Sequence, residues 1–471
     1  MKLYNTLSRK VEDFKPLKDK HASIYSCGPT VYDHIHIGNL SSFIAADMLR
    51  RALQMTGYQV KHVMNFTDVD DKTIRRSLEQ YTDIAPEEAL KKLTEEYAMI
   101  FLQDMVAIGN DVGAVQFVKA TDNIEPMREL IHQLYKHGFA YATDDGVYFS
   151  IEKYKKSGKQ YGQLLKLNSA NTSAARIDND EYDKESVHDF ALWKTRKAGE
   201  PAWEFKLDGH DLTGRPGWHI ECSAMSVDNL GQPFDIHTGG VDLIFPHHEN
   251  EIAQSTALHS DPIYARYFVH NEHLLVDGKK MSKSLNNFFT LRDIQEKGYD
   301  PLAFRLMMLQ AHYRSQTNFT WDNLEAAQNR LKSLREMADL RWQVIEPKDG
   351  EASQEDAYKV WIAAIAKPLL NDLNTPEALA VLSQVENKVK EQLVSSADRQ
   401  AFELFITQLE TTLGLSLFSE DISKTQKDLL KQRQAARDKK QWAPSDKLRD
   451  ELIQQNLGIR DTDYGQIWFR L

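Results

Sequence analysis

The sequence predicts an α/β fold, with a parallel-sheet domain interrupted by an insertion and followed by a helical region. Three observations predict it. Strand-like and helical stretches alternate through the first part of the chain, a polar acidic tract without apolar periodicity breaks them, and beyond Asp300 long helical periodicity takes over with few turn signals.

Composition narrows the possibilities. With 471 residues, 41% hydrophobic and 27% charged, the chain has the make-up of a soluble globular protein of several domains. No apolar run approaches the ~20 residues a membrane span needs. Charges in the opening MKLYNTLSRKVEDF sit where a signal peptide needs an apolar core, so a cytoplasmic protein with no membrane partner is expected. The net charge of −11 argues against indiscriminate nucleic-acid binding. Cys27 and Cys222 are the two cysteines, and a reducing compartment leaves them as core thiols or metal ligands.

Taken in order, a short strand at Ile24 and Tyr25 runs into YSCGPTVYDHIHIGN (Tyr25 to Asn39). That stretch turns on Gly28 and Pro29 and enters a helix at Gly38 to Leu40, whose free N–H groups suit a phosphate. Leu40, Phe43, Ile44, Met48, Ala52 and Met55 recur at helical spacing before Gly57, and Tyr58 to Phe66 reads as a strand. Strand, helix, strand in that order implies a parallel, Rossmann-like sheet. Thr67 to Asp71 (TDVDD) lies past the second strand's carboxyl end, where open α/β sheets place ligands; an acidic cap for a helix starting near Lys72 accounts for it equally well.

Pro86 to Gly109 and Glu125 to His137 read as helices, and Phe139 to Ile151 as a hairpin around Asp144-Asp145-Gly146. Asn171 to Asp189 is the exposed part of the insertion. The sheet domain resumes near Trp218, with a strand at Phe234 to Gly240, a helix from Phe245 to His259 with Pro246 near its first turn, and one strand from Tyr267 to Val276. Helical periodicity then continues through Leu309, Leu324, Leu331, Leu334 and Met337, with Leu369 to Leu382 and Phe402 to Leu417 extending it and a PKDG break at 347–350. Between Lys424 and Arg449, nine Lys or Arg stand against three Asp. With Trp442 and Trp468 this suggests phosphate contact and base stacking, although a solvated helix face is the plainer account.

Two groups of residues carry chemistry. His247 and Glu251 are four apart on one expected helix, so both project from the same face and can meet one ion. Cys27 and Cys222 would complete a set within zinc's repertoire, while buried histidines and cysteines more often simply pack. His248 competes with His247, but its partner one turn on is Ile252, which cannot coordinate. The second group, KKMSKS (Lys279 to Ser284), interleaves lysines with small hydroxyls, which suits moving phosphate charge or an ordinary exposed loop.

Read together the motifs are more specific. HIGN behind the first strand, GGVD, and KMSKS behind a late strand resemble the signature of class I aminoacyl-tRNA synthetases. YSCGPTVYDHIHIGN, NFTDVDDK, GWHIECSAM, IHTGGVDLIFPHHENEIAQS, DGKKMSKSLNNF, NDLNTPEAL and DKLRDELIQQNLGIRDT resemble the cysteinyl-tRNA synthetase family in order and over essentially the whole chain.

The resemblance implies one zinc on Cys27, Cys222, His247 and Glu251, binding the thiolate of substrate L-cysteine. A hydrocarbon pocket rejects a near-isostere such as serine by only ~10- to 200-fold, whereas zinc ligates a thiolate far better than a neutral hydroxyl. It also implies ATP with magnesium as co-substrate, a cysteine-specific tRNA as partner, and a monomer. ATP would meet Thr30, His36, Gly38, Asn39, Gly240, Asp242, Lys280 and Lys283, with His36, Asn39, Lys280 and Lys283 serving catalysis. Thr67 and Trp218 would line the cysteine pocket. The wider class often has a second histidine where this chain has Asn39, which keeps a donor but cannot carry a proton, so binding is its expected work.

The implied division is 1–120 and 211–270 for the two halves of the catalytic domain, 121–210 for a connective insertion, 271–315 for the KMSKS-containing link, 316–415 for a helical bundle and 416–471 for an anticodon-binding region. A small-molecule cysteine ligase on the same core and a non-catalytic tRNA-binding paralogue are the rivals. The basic C-terminal segment speaks against the first, and intact KMSKS and metal ligands speak against the second.

Overall fold

A computed structural model describes residues 1–165, 189–261, 263–281, 287–345 and 353–471. The chain divides into two units. The first takes residues 1–301, 311–320 and 370–373, and the second takes 302–310, 321–369 and 374–471.

At the centre of the first unit is a five-stranded sheet, in spatial order Ala265–Asn271, Phe234–Gly240, His21–Ser26, Gln59–Phe66 and Val115–Lys119. Every neighbouring pair is parallel. The helix Ile37–Met55 links the strands His21–Ser26 and Gln59–Phe66 in the βαβ order expected. Parallel strands covered on both faces carry near-continuous apolar runs, and the end of Gln59–Phe66 is buried accordingly. Ile24, Ile236, Val269, Leu49 and Leu53 pack in one core cluster, while Tyr25, Val63, Phe234, Phe268 and Ile220 pack in another.

The chain's direction of travel across the sheet reverses at His21–Ser26. Later strands go to one side of it and Gln59–Phe66 and Val115–Lys119 to the other. Such a switch point opens a crevice at the strands' carboxyl ends, where Cys27 and Gly240 emerge.

The hairpin Ala140–Thr143 and Gly146–Phe149 forms as expected, and with Phe190–Thr195 and Gly214–Pro216 it makes a four-stranded antiparallel sheet. Residues 171–188 of the polar tract, Lys283 and the PKDG break lie outside the described residues.

Tyr267 to Val276 is not one strand. It breaks at Glu272 and His273 because Glu272 N donates to Tyr313 O at 2.8 Å, and Leu274–Val276 joins Lys279–Lys280 and Thr317–Phe319 in another sheet. Nor is Leu369 to Leu382 one helix. Glu355–Leu369 ends, Asp372 and Leu373 take positive φ of 59° and 52°, and Thr375–Gln392 begins behind the cap Asn374. The break is held by the Asp372 carboxylate, which accepts from Tyr4 N at 2.8 Å, Tyr313 Oη at 2.7 Å and Arg314 Nε at 2.8 Å.

In the second unit, the helices Trp321–Ala338, Glu355–Leu369, Thr375–Gln392 and Arg399–Leu413 precede Lys424–Asp438, Trp442–Gln454 and the hairpin Leu457–Thr462 with Gly465–Arg470. Trp468 packs here against Ile422, Leu429, Leu452 and Leu457, so it offers no stacking surface. Trp442 stays 56% exposed. Arg433, counted among the basic residues, is buried and bonded to Asp461 and Gln466.

Candidate active site

The four expected metal donors come from four segments, the last two consecutive in the chain. Cys27 follows the central strand, its N donating to Thr238 O at 3.3 Å. A Cβ at Gly28 would lie 1.7 Å from Asn65 O, so only glycine lets the turn run so close to the next strand. Cys222 stands on the helix Trp218–Leu230, His247 in a single wide turn over Ile244–His248, and Glu251 in the first turn of Glu249–Thr256.

Their donor atoms all lie within 4.8 Å of one another. Cys27 Sγ is 3.9 Å from Cys222 Sγ and 4.0 Å from Glu251 Oε1, and His247 Nε2 is 3.0 Å from Glu251 Oε1. A tetrahedral ion with bonds of ~2.3 Å to sulfur sets its two thiolates ~3.8 Å apart, so the sulfur spacing fits. His247 Nε2 is buried with no hydrogen-bond partner, while its Nδ1 is engaged by His219 Nδ1 at 2.9 Å. That leaves Nε2 turned toward Glu251 Oε1, the other expected donor, as a ligand would be. Burial lowers His247 to about 3, keeping the imidazole neutral, as ligation requires. Burial first, then the neighbouring thiol and Glu251, pushes the Cys27 thiol up, an environment that a bound cation would reverse.

A second cluster, Cys27, His237, His248 and Glu251, also satisfies the 4.8 Å criterion. Helical spacing dismissed His248, yet it reaches Cys27 Sγ at 3.4 Å because the strand residue His237, not Ile252, completes its set. In this set, as in the first, each histidine has one nitrogen engaged, while His237 Nδ1 is buried with no hydrogen-bond partner and His248 Nε2 is the nitrogen that faces Cys27. His237 Nε2 bonds Glu251 Oε2 at 2.8 Å, and His248 Nδ1 bonds His270 Nε2 at 2.8 Å.

Beside this cluster Trp218 stacks on His247 at 4.1 Å and 23°. Thr30 pairs with Thr67 in a parallel bridge, Val31 N donating to Thr67 O at 3.2 Å and Thr67 N to Pro29 O at 3.1 Å. Asp70 caps the helix Asp71–Gln80, accepting from Lys72 N and Thr73 N, which was one of the two accounts of the acidic stretch.

His36 caps the helix Ile37–Met55, its Nδ1 accepting from Gly38 N at 3.1 Å and Asn39 N at 3.3 Å. Burial lowers it to about 4 against the pull of Asp242, so the ring is neutral with its proton on Nε2. A Cβ on Gly38 would come within 2.9 Å of that ring, and one on Gly240 within 2.4 Å of Asp242 Oδ1. Asn39 and Asp242 are exposed. Ile37 N donates to Phe289 O at 2.9 Å and His36 meets Phe288 at 5.0 Å, so the segment that follows the KMSKS motif in sequence is tied to the helix start. Lys280 is exposed on Lys279–Lys280, and its carbonyl accepts from Asn287 Nδ2 at 3.0 Å.

A family model described as tRNA synthetases class I (C) catalytic domain matches residues 13–329, and one described as cysteinyl-tRNA ligase anticodon binding domain matches residues 419–468. A protein named cysteine–tRNA ligase from Chlamydia muridarum (strain MoPn / Nigg) is 42% identical over 98% of each chain. One of the same name from Leptospira interrogans serovar copenhageni (strain Fiocruz L1-130) is 39% identical over 99% of each. The chain belongs to the cysteine–tRNA ligase family.

Solved structures agree on the fold. A ternary LeuRS–tRNA–LeuAMS complex from Agrobacterium radiobacter K84 aligns with a TM-score of 0.59 at 12% identity, covering 85% of each chain. Mycobacterium tuberculosis methionyl-tRNA synthetase in complex with methionyl-adenylate aligns with a TM-score of 0.55 at 15% identity, covering 83% of this chain and 90% of that one. Sequence reasoning within this cysteine–tRNA ligase family member passed over the residues that hold the donors. These are Asn65, His219, His237 and Tyr264, the last donating to Glu251 Oε2 at 2.9 Å, while Glu221 accepts from Thr67 Oγ1 at 3.0 Å instead. The available signal was their place beside the donors, since His219 falls inside the same helical turn as Cys222.

Proposed function

We propose that this member of the cysteine–tRNA ligase family activates L-cysteine with ATP and magnesium to cysteinyl adenylate and pyrophosphate, then transfers cysteine to the 3′ end of its tRNA. The observation that carries the reading is the pair of thiols 3.9 Å apart beside a buried imidazole nitrogen that makes no hydrogen bond and lies 3.0 Å from Glu251 Oε1. Cys27, Cys222, His247 and Glu251 would hold zinc, which when bound supplies thiolate recognition and hence discrimination against serine.

The remaining roles follow from side-chain chemistry. Neutral His36, its Nδ1 occupied by the helix start, donates from Nε2 to a phosphate oxygen. Gly38 lets the nucleotide approach the backbone, and Asn39 adds a donor. Gly240 gives room at the ribose and Asp242 accepts from a ribose hydroxyl, as acidic residues do in dinucleotide folds. Lys280 and Lys283 follow charge onto the departing pyrophosphate, and Thr30 touches ATP or amino acid. The cysteine carboxylate attacks the α-phosphorus in line, for which positioning and charge stabilisation suffice without a general base. Thr67 and Trp218 line the amino-acid pocket.

The segment 416–471 reads the anticodon through its basic helices and exposed Trp442, a role supported by the anticodon-binding family model over residues 419–468. We read the enzyme as a cytoplasmic monomer; no helix among the described residues is long and apolar enough to cross a membrane.

The test is cysteine-dependent exchange of pyrophosphate into ATP, followed by charging of tRNA. Both activities are expected, and both are expected to disappear with zinc in Cys222→Ser. Exchange without charging, with cysteine ligated to an amino-sugar instead, would favour the small-molecule ligase, and no exchange at all the non-catalytic paralogue.

A further inference from the structure

The helix Trp321–Ala338 ends in one tight turn, Asp339–Trp342, and that turn with Gln343 takes hold of the C-terminal region. Arg341 donates to Ser419 O at 2.6 Å, its guanidinium lying 4.4 Å from the Trp342 ring and 4.0 Å from the Phe418 ring. Trp342 Nε1 donates to the same carbonyl at 3.2 Å. Gln343 Nε2 donates to Trp468 O at 3.0 Å, and its Oε1 accepts from Trp468 N at 2.7 Å. Asp339 is about 1% exposed and accepts on Oδ2 from Arg470 Nε at 2.9 Å, while Arg470 also donates to Glu420 O.

The hairpin's own geometry prepares these bonds. Leu457–Thr462 and Gly465–Arg470 close on the pair Thr462 and Gly465, and Leu471 N donates to Asn456 O at 3.0 Å at the open end. Facing pairs in an antiparallel ladder alternate between bonded and unbonded, which leaves Trp468, opposite Ile459, with its N–H and C=O turned out of the hairpin. An amide side chain presents a donor and an acceptor side by side, so Gln343 meets that outward pair as a further strand would.

Trp342 holds the region differently. It packs against the small core of Ile422, Leu429, Leu452, Leu457 and Trp468, whose other described members all come from 416–471. Apolar burial attaches without fixing an angle, because it is non-directional, whereas hydrogen bonds are directional. Gln343 and Asp339 meet two positions on one strand, Trp468 and Arg470, and so stop the region from turning about Trp342.

We infer that the turn at 339–343 is a seat that fixes the orientation of the region 416–471 on the helical bundle, with Asp339 and Gln343 as positioning residues for the capture of tRNA. The inference rests on the anticodon reading above and adds what aims that region. A folded tRNA presents its anticodon in one place, so a module already aimed binds it without the ordering cost that a swivelling one would carry.

The test compares the parent chain with a double variant, Asp339→Ala with Gln343→Ala, which leaves Trp342 and every residue of 416–471 in place. Charging is measured with full tRNA and with a minihelix that keeps the acceptor arm and lacks the anticodon. In the double variant the KM for full tRNA is expected to rise about tenfold, with charging kcat, minihelix charging and pyrophosphate exchange unmoved. The slope of log KM against log salt should match the parent's, because the phosphate contacts survive and only their aim is lost. A rise in KM with a shallower slope would mean that the contacts themselves had gone, which reduces the turn to structural support and overturns the inference. An unchanged KM overturns it too.

Should the double variant fail to fold, Gln343→Ala and Gln343→Glu ask the same question. Glutamate keeps the size of the side chain but turns an oxygen toward Trp468 O, so both single variants should raise the KM for full tRNA, by about threefold or more. A rise with alanine alone would assign the effect to packing and overturn the inference. A parent chain that charges the minihelix as well as full tRNA would instead count against the anticodon reading itself.

Discussion

His237 Nε2 lies 2.8 Å from Glu251 Oε2, and both side chains are sealed from solvent. With Tyr264 Oη at 2.9 Å from the same oxygen, Oε2 is occupied and Oε1 is left facing His247 and Cys27. Glu251 is therefore aimed before any ion arrives. His237→Leu is expected to weaken zinc binding about 10- to 100-fold in competition with a chelator, and Tyr264→Phe less. Unchanged affinity in His237→Leu would show that the carboxylate orients itself.

Gly38 is packed against the His36 ring, and an added Cβ would stand 2.9 Å from it. The nearer neighbour, Met281 Cε at 2.4 Å, is the far end of a flexible side chain and can move aside. Gly38→Ala should therefore turn the imidazole out of its cap and raise the KM for ATP about tenfold, leaving zinc content untouched. Exchange kinetics with ATP varied would measure this, and an unaltered KM would remove His36 from the nucleotide site.

Burial, helped by Arg50, lowers His62 from its ordinary 6.5 to about 3. Between those values the unfolded chain binds a proton that the folded chain refuses, so stability falls as pH drops below ~6.5 and levels off only below about 3. One such histidine accounts for about 2 kcal/mol between pH 6.5 and 5. Urea unfolding at both pH values should show His62→Gln losing about that much less than the parent over this interval. A parallel loss would assign the slope to other groups.

Removing residues 418–471 takes away the small core of Ile422, Leu429, Leu430, Leu452, Leu457 and Trp468 together with the basic helices. Charging of tRNA should fall by far more than tenfold, while pyrophosphate exchange should change about twofold at most, if binding there is carried by phosphate contacts and stacking. Equal losses in the two assays would count against an anticodon role.

The features legible in the sequence were those that local spacing encodes. One helical turn put His247 over Glu251, the Asp-Asp-Gly turn set the hairpin, and strand–helix–strand order gave the parallel sheet. What escaped was decided by distant partners. Nothing near Glu272 announces that its N–H belongs to Tyr313, and nothing near Asp372 announces Tyr4 or Arg314. Trp468 looked like a stacking surface because its burial depends on a helix some forty residues earlier. His219 and His237 have no periodic signature because each serves one ligand atom rather than a face. His248 was judged by its own helix, although its partner stands on a strand.

Cys27 and Cys222 are separated by 195 positions, and Glu251 comes later still. No fragment ending before Glu251 contains the whole donor set, so a growing chain on the ribosome cannot complete this coordination sphere until the central strand, the Trp218 helix and the Glu249 helix have all been made and assembled. If the four donors hold the proposed zinc, its uptake would mark maturation of the catalytic unit, and a chain cut before Glu251 would remain metal-free.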